Sequence, residues 1–153
     1  MGIVMGINVA KTTVYCALVA EGALIETEPF KLEVTAGLSD SARLRELADD
    51  VERLVDEHTL GGIVVVSSEN IYKQPYASLV PRISIETAIL IGGARAGILS
   101  ERASRPDIRA KLGLPKSGQL SDHSRVYFPG GGKLWPNKRD IAALGAASRR
   151  GQR

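Results

Sequence analysis

Residues 3–19 read IVMGINVAKTTVYCALV. Ile3, Val4, Met5 and Ile7 form an apolar run with the length of a strand buried on both faces. Thr12, Val14, Cys16 and Leu18 then alternate with Thr13, Tyr15, Ala17 and Val19, the period-two signature of a second strand. Asn8-Val9-Ala10-Lys11 turns the chain between them, so the stretch predicts a hairpin. It also leaves one odd polar residue, Asn8, at the end of an otherwise apolar strand. An amide there can serve as a turn former bonded to its own backbone, or it can belong to a site. The rest of the chain has to decide.

Downstream of the hairpin, Glu21-Gly22 marks another turn, and Leu24 to Val34 reads as a third strand with Phe30, Leu32 and Val34 on one face and Lys31 and Glu33 on the other. Pro29 suits an edge strand or a bulge there. From Asp40 the period changes to that of a helix: Leu44, Leu47, Val51, Leu54 and Val55 share a face, with Ser39/Asp40 as cap and Gly61-Gly62 as stop. Ile63-Val64-Val65-Val66 predicts a buried parallel strand ending at Ser67-Ser68-Glu69-Asn70. Glu69 thus falls at a strand's carboxyl end, where open α/β sheets gather their ligands.

Residues 71–81 read as a polar and aromatic connection. A second helix is expected from about Ser84 to Leu99, with Ile85, Ala88, Ile89, Gly92, Ala96 and Leu99 inward. Gly92, Gly93 and Gly97 lower helix propensity by about 1 kcal/mol each, which implies close approach to the sheet or a ligand. A short strand near Arg102–Arg105 and a helical turn near Asp107–Leu112 follow, then Gly130-Gly131-Gly132 as a hinge. A small-residue helix is expected from Asn137 to about Arg149, with Ile141, Ala143, Leu144, Ala146 and Ala147 packing tightly.

A chain of 153 residues is one domain in size, assigned here to residues 1–148 with a basic tail at 149–153. Apolar and charged fractions of 44% and 24% exclude a disordered chain and fit a globular one. The absence of an eighteen-residue apolar run and of a secretory leader pattern leads us to expect a soluble, cytoplasmic protein. Cys16, the single cysteine, cannot form an internal disulfide. The net charge of +3 hides a division: residues 1–80 hold six Lys/Arg against twelve Asp/Glu, and residues 81–153 hold fourteen against five. The second half is therefore where a polyanion such as nucleic acid would bind.

The element order gathers Asn8, Glu69 and Asp140, and in several stretches the chain resembles the RuvC-type Holliday-junction resolvases of the RNase H-like superfamily. Gly6-Ile7-Asn8 is similar to their first-strand Gly-Ile-Asp. Ser68-Glu69-Asn70-Ile71-Tyr72 is similar to the strand-four glutamate motif. Residues 88–97, AILIGGARAG, resemble the helix with a Leu-Gly-x-Ala-Arg-Gly core, residues 105–113 the Pro-x-x-Val-Lys stretch, and Asp140-Ile141-Ala142-Ala143-Leu144 the final Asp-rich helix.

The resemblance implies an α/β fold of RNase H-like type: a mixed five-stranded sheet, its first three strands antiparallel, flanked by helices. It implies a structure-specific endonuclease acting on Holliday junctions or other branched DNA, as a homodimer, with two Mg²⁺ ions (or Mn²⁺) about 3.5–4 Å apart. Glu69 and Asp140 would be metal ligands, Asn8 would occupy the place of the acid that bridges both ions, and Asn137 would complete the catalytic set. Asn is neutral and offers one acceptor oxygen where a carboxylate offers two, so this site is expected to be impaired. Lys11, Lys73, Arg95, Arg105, Arg109, Lys111, Lys116, Lys138 and Arg139 are the cations expected to meet DNA, with Tyr127, Phe128 or Trp135 packing against bases.

Taken singly, these residues have plainer readings. Asn137 could cap the last helix, with Asp140 in its first turn. Glu69 and Arg95 could be surface charges, and His58 and His123 read as surface residues. Three rival assignments stand beside it: a non-catalytic module binding branched nucleic acid, the DEDD transposases, whose opening strand is similar, and a sugar-kinase or actin-like ATPase. For the last, the chain is short, and Ala10-Lys11-Thr12-Thr13 lacks the Gly-Thr pair of the phosphate loop.

Overall fold

The hairpin forms as β1 (Ile3–Ala10) and β2 (Thr13–Ala20), antiparallel, with Asn8 opposite Tyr15. The computed structural model describes residues 2–68 and 73–150, the side chain of Arg150 excepted. The elements that follow are β3 (Ala23–Ile25), β4 (Lys31–Glu33), α1 (Asp40–His58), β5 (Leu60–Val66), α2 (Tyr76–Arg95) and β6 (Leu99–Ala103). After them come α3 (Arg105–Leu112), a 3-10 turn at Leu120–His123, α4 (Ser124–Tyr127), a π-type turn at Trp135–Arg139, and α5 (Asp140–Arg150). The sheet runs β3-β2-β1-β5-β6, with β4 also beside β2. β1, β5 and β6 are parallel, the rest antiparallel.

Strand alternation assigns the two faces. Met5, Ile7, Val9, Cys16, Ile63 and Val65 point to a core closed by Leu47, Val51 and Val55 of α1 and Ile85 and Ile89 of α2. Ala17, Val19, Val64 and Val66 point to a second core closed by Ile108 of α3, Leu120, Phe128, Trp135 and the Ile141 and Leu144 side of α5. The result is a helix–sheet–helix sandwich, and even-numbered β1 residues, Asn8 among them, face α5.

Several boundaries differ from the sequence reading. The third strand is two short pieces, because the chain leaves the sheet between Ile25 and Lys31, where Glu26 turns to Arg139. Ser39 does cap α1, but the stop is Thr59 in the left-handed region (φ 52°). Gly61 and Gly62 lie inside β5 instead, where Gly2 main chain and the Arg149 guanidinium press against them. α2 begins at Tyr76 and runs through Pro81, whose missing N–H costs one bond near the helix start. Ile85, Ala88, Ile89 and Gly92 bury its inner side. By length and composition alone α2 could cross a membrane, but that inner side is packed into the core. It ends four residues short of Leu99, which sits 59% exposed on the edge strand β6.

Gly92 and Gly93 do mark close approach: a Cβ on Gly92 would stand 2.6 Å from the Ala48 carbonyl oxygen of α1, and one on Gly93 would strike the Ser100 side chain of β6, whereas Gly97 lies beyond the helix at φ 82° with open space around it and serves the turn. The final helix starts at Asp140, not Asn137, and continues to Arg150, with Arg149 tied to the Leu99 carbonyl (2.9 Å).

Candidate functional site

Gly6 is the reason α5 can reach the end of β1. A Cβ there would overlap the Ala142 carbonyl oxygen, and Gly145 similarly admits Val66 of β5. Ala142, Ala143 and Ala146 complete this small-residue face. With the helix seated so deeply, its first residue, Asp140, meets the carboxyl end of β1 two residues after Gly6.

Asn8 is 3% exposed, and its amide N–H donates to the Lys138 carbonyl at 3.0 Å. Asp140 is fully buried. Its Oδ1 accepts from the main-chain N–H groups of Lys138 (3.0 Å) and Ile141 (2.8 Å), and its Oδ2 accepts from the Ser121 hydroxyl. Ser121 Oγ in turn accepts from the Asn137 N–H at 3.1 Å. Asn137 is exposed and left-handed (φ 57°), so it belongs to the turn and does not cap the helix. Asp140, already helical, itself takes the Ile141 N–H at the helix start. Glu69 lies outside the described residues.

Across the sheet, Arg82 of α2 clamps the same strand ends. It donates to the Val9 carbonyl and, at 3.1 Å, to the Val66 carbonyl, and pairs with Glu86 at 2.9 Å. Glu86, 3% exposed, also takes Arg102 at 3.2 Å. On the α5 side, Arg139 is fully buried: Nε donates to the Cys16 carbonyl (2.6 Å), Nη1 to the Lys133 carbonyl (2.9 Å), Nη2 pairs with Glu26 (2.7 Å), and the guanidinium lies over Phe30 at 4.7 Å. Burial pushes the Cys16 thiol up to about 12, against the opposing pull of Arg139, so it is an inert core group. Burial alone would raise the Glu26 carboxyl. Its hydrogen bonds from Arg139 and the Lys133 N–H, with their positive charges, outweigh that and hold it below its ordinary value.

The architecture has solved counterparts. RuvC of T. thermophilus in complex with Holliday junction substrate superposes with a TM-score of 0.73 at 14% identity, over 99% of this chain and 94% of that one. A further Thermus thermophilus RuvC structure gives 0.73 at 15% identity, over 97% and 93%. This chain has the RuvC fold. The yeast mitochondrial Holliday junction resolvase Ydc2 is more distant, with a TM-score of 0.53 at 11% identity over 97% of this chain and 76% of that one. No protein-family profile and no curated protein matches the chain by sequence.

On this RuvC fold the expected cations divide. Lys11 at the hairpin tip, Lys138 beside Asn8 and Lys73 beyond β5 are exposed around the carboxyl ends of the strands. Lys138 Nζ lies 5.9 Å from the Tyr15 ring centre. Arg105 is half-buried there, donating to the Ser67 carbonyl at 3.1 Å. Lys116 is exposed on the loop after α3, and Lys111 pairs with Asp107 at 2.8 Å.

Three placements correct the sequence reading. Arg139 is a core residue. Arg109, 7% exposed, folds the following loop by donating to the carbonyls of Pro115, Ser117 and Gly118. Arg95 pairs with Asp49 and Glu52 of α1 at the opposite end of the sheet. Of the aromatics, Phe128 and Trp135 are buried edge-to-face in the core, and Tyr127 binds the Leu112 carbonyl at 2.6 Å.

Reading single residues missed Ser121, Arg82, Glu86 and Glu26. The Arg82/Glu86 spacing of four was the one signal available. Among the described residues, no group of three His, Cys, Asp or Glu side chains stands together to hold a metal. Where β1 meets the start of α5 they offer Asp140, both of whose oxygens accept hydrogen bonds, and Asn8, whose amide N–H is spent on a carbonyl. Without Glu69, which lies outside the described residues, these groups do not by themselves supply the converging hard oxygen ligands that a pair of Mg²⁺ ions takes.

Proposed function

We propose that this chain recognises branched DNA, four-way junctions above all, in the manner of the RuvC-type resolvases, and that it binds there without cutting as its sequence stands. The surface over the carboxyl ends of β1 and β5 and the start of α5 is the binding centre. The observation that carries the reading is the conjunction of those strand ends with Lys11, Lys73 and Lys138, exposed on the segments that follow or adjoin them. Lysines in this position neutralise phosphates and select the shape of the backbone, with little sequence preference. The fold supports the substrate class, since the RuvC of similar structure was solved with a Holliday junction. A homodimer belongs to this reading, because a four-way junction presents two equivalent faces.

Asn8 is what separates binding from cutting. It replaces an acid by a neutral amide at the centre of the cleft, and Asn137 does the same in the adjoining turn, so the two-metal route to phosphodiester hydrolysis lacks its charges. The test is incubation of a labelled four-way junction, beside linear duplex and single strand, with this protein and with Asn8→Asp, in Mg²⁺ and in EDTA. The expected result is a salt-sensitive junction complex with the native chain and no product. Symmetric, metal-dependent cutting by the native chain makes it a working resolvase, and absence of any complex overturns the reading.

A further inference from the structure

We infer that the Asn8 amide takes the place of a cation in this cleft, so that β1 is tied to the turn before α5 by hydrogen bonds that need no metal. The partner of Asn8 is a main-chain carbonyl, which can only accept, so the amide must present its N–H, at 3.0 Å. An ionised carboxylate at the same place would set oxygen against oxygen in a position only 3% exposed. It would also add a second negative charge where Lys138 links position 8, through its carbonyl, to the fully buried Asp140, through its N–H. Such a pair of acids is tolerated only with a counter-charge.

The chain meets the problem on both sides. Asn8 contributes a donor in place of a charge, and Asp140, the carboxylate that the described residues place there, is satisfied by the Ser121 hydroxyl and the N–H groups of Lys138 and Ile141. Ser121 is matched as well, donating to Asp140 and accepting from Asn137. Among the described residues the Asn8 N–H and both Asp140 oxygens therefore have protein partners, and these hydrogen bonds form without an ion.

The inference stands on the Asn8 geometry and not on DNA binding, and its test contains no nucleic acid, so the two can fail separately. Thermal unfolding of the full chain and of Asn8→Asp is followed in EDTA, Mg²⁺ and Mn²⁺. The native midpoint is expected to be the same in all three. The Asn8→Asp midpoint is expected to fall by roughly 4–10 °C in EDTA, the effect of an unmade buried hydrogen bond plus repulsion, and to recover in millimolar Mn²⁺ as the ion binds the folded state. If Asn8→Asp does not fold in EDTA, refolding with Mn²⁺ gives the same reading, and a chain that stays unfolded in both overturns it. So do a native midpoint that rises several degrees with metal, an Asn8→Asp protein as stable as the native one in EDTA, and a loss that Mn²⁺ leaves unrelieved.

Discussion

Gly6 of β1 lies directly against the main-chain carbonyl of Ala142 in α5, with the Ala146 methyl 3.2 Å from where a Cβ would stand. The obstacle is backbone, which cannot rotate aside as a flexible side chain can. Gly6→Ala must therefore push α5 off the sheet, and with it Asp140 away from Asn8. A loss of about 3 kcal/mol is expected, at the upper end for overpacking, read as a lower urea midpoint with unchanged slope. A change below about 1 kcal/mol would show that the helix seats elsewhere.

The Glu26–Arg139 pair gives a pH dependence with a definite sign. The Glu26 carboxyl titrates below its ordinary value of 4.5 in the folded chain, so its contribution is complete above that value and is lost as pH falls through the lowered one. Glu26→Gln leaves the buried Arg139 guanidinium without its counter-charge. Because Glu26 is 35% exposed, the cost is put at about 1–2 kcal/mol at neutral pH, below that of a fully buried pair. Midpoints of the two proteins should differ at pH 7 and converge below pH 4.5. A gap that persists in acid would show that the loss is one of packing and not of charge.

Arg82 makes a double-mutant test possible. Its guanidinium serves the Val9 and Val66 carbonyls and Glu86 together. Arg82→Met is expected to cost about 3 kcal/mol, since Glu86 stays buried with Arg102 as its remaining ion-pair partner among the described residues. Adding Glu86→Leu should return part of that loss, a coupling of at least 1 kcal/mol or so. Strict additivity in urea unfolding would mean that the pair does not act as a unit.

What could be read from sequence was whatever has a local period or a local partner. The 3–19 hairpin, the Ser39-capped α1, the apolar β5 and the Ala-rich α5 all announce themselves within a few residues. The cations do not: Lys138 and Arg139 are neighbours, yet one is exposed and the other fully buried. The difference lies in Glu26 and Phe30, on a sheet edge that looked like one continuous strand. Asn137 likewise fits a capping pattern in sequence. Its left-handed backbone follows from the turn that Ser121 and Asp140 close from outside. Of the candidate site, Asn8 and Asp140 are joined through Lys138, whose carbonyl accepts from Asn8 and whose N–H donates to Asp140, and Ser121, the donor to Asp140 from a distant position, had no sequence signal.

The division of cations predicts how DNA binding responds to salt. Each phosphate contact contributes roughly 0.9 to the slope of log K against log salt for duplex arms. Lys11→Gln and Lys138→Gln, both at exposed positions beside the cleft, should each lower that slope by about that amount and weaken a four-way junction complex in fluorescence anisotropy. Arg95→Gln should leave slope and affinity unchanged, because its guanidinium faces Asp49 and Glu52 at the far end of the sheet. If instead Arg95→Gln flattens the slope while the two lysine variants do not, the nucleic-acid surface runs along α1 and α2 and the cleft is not its centre.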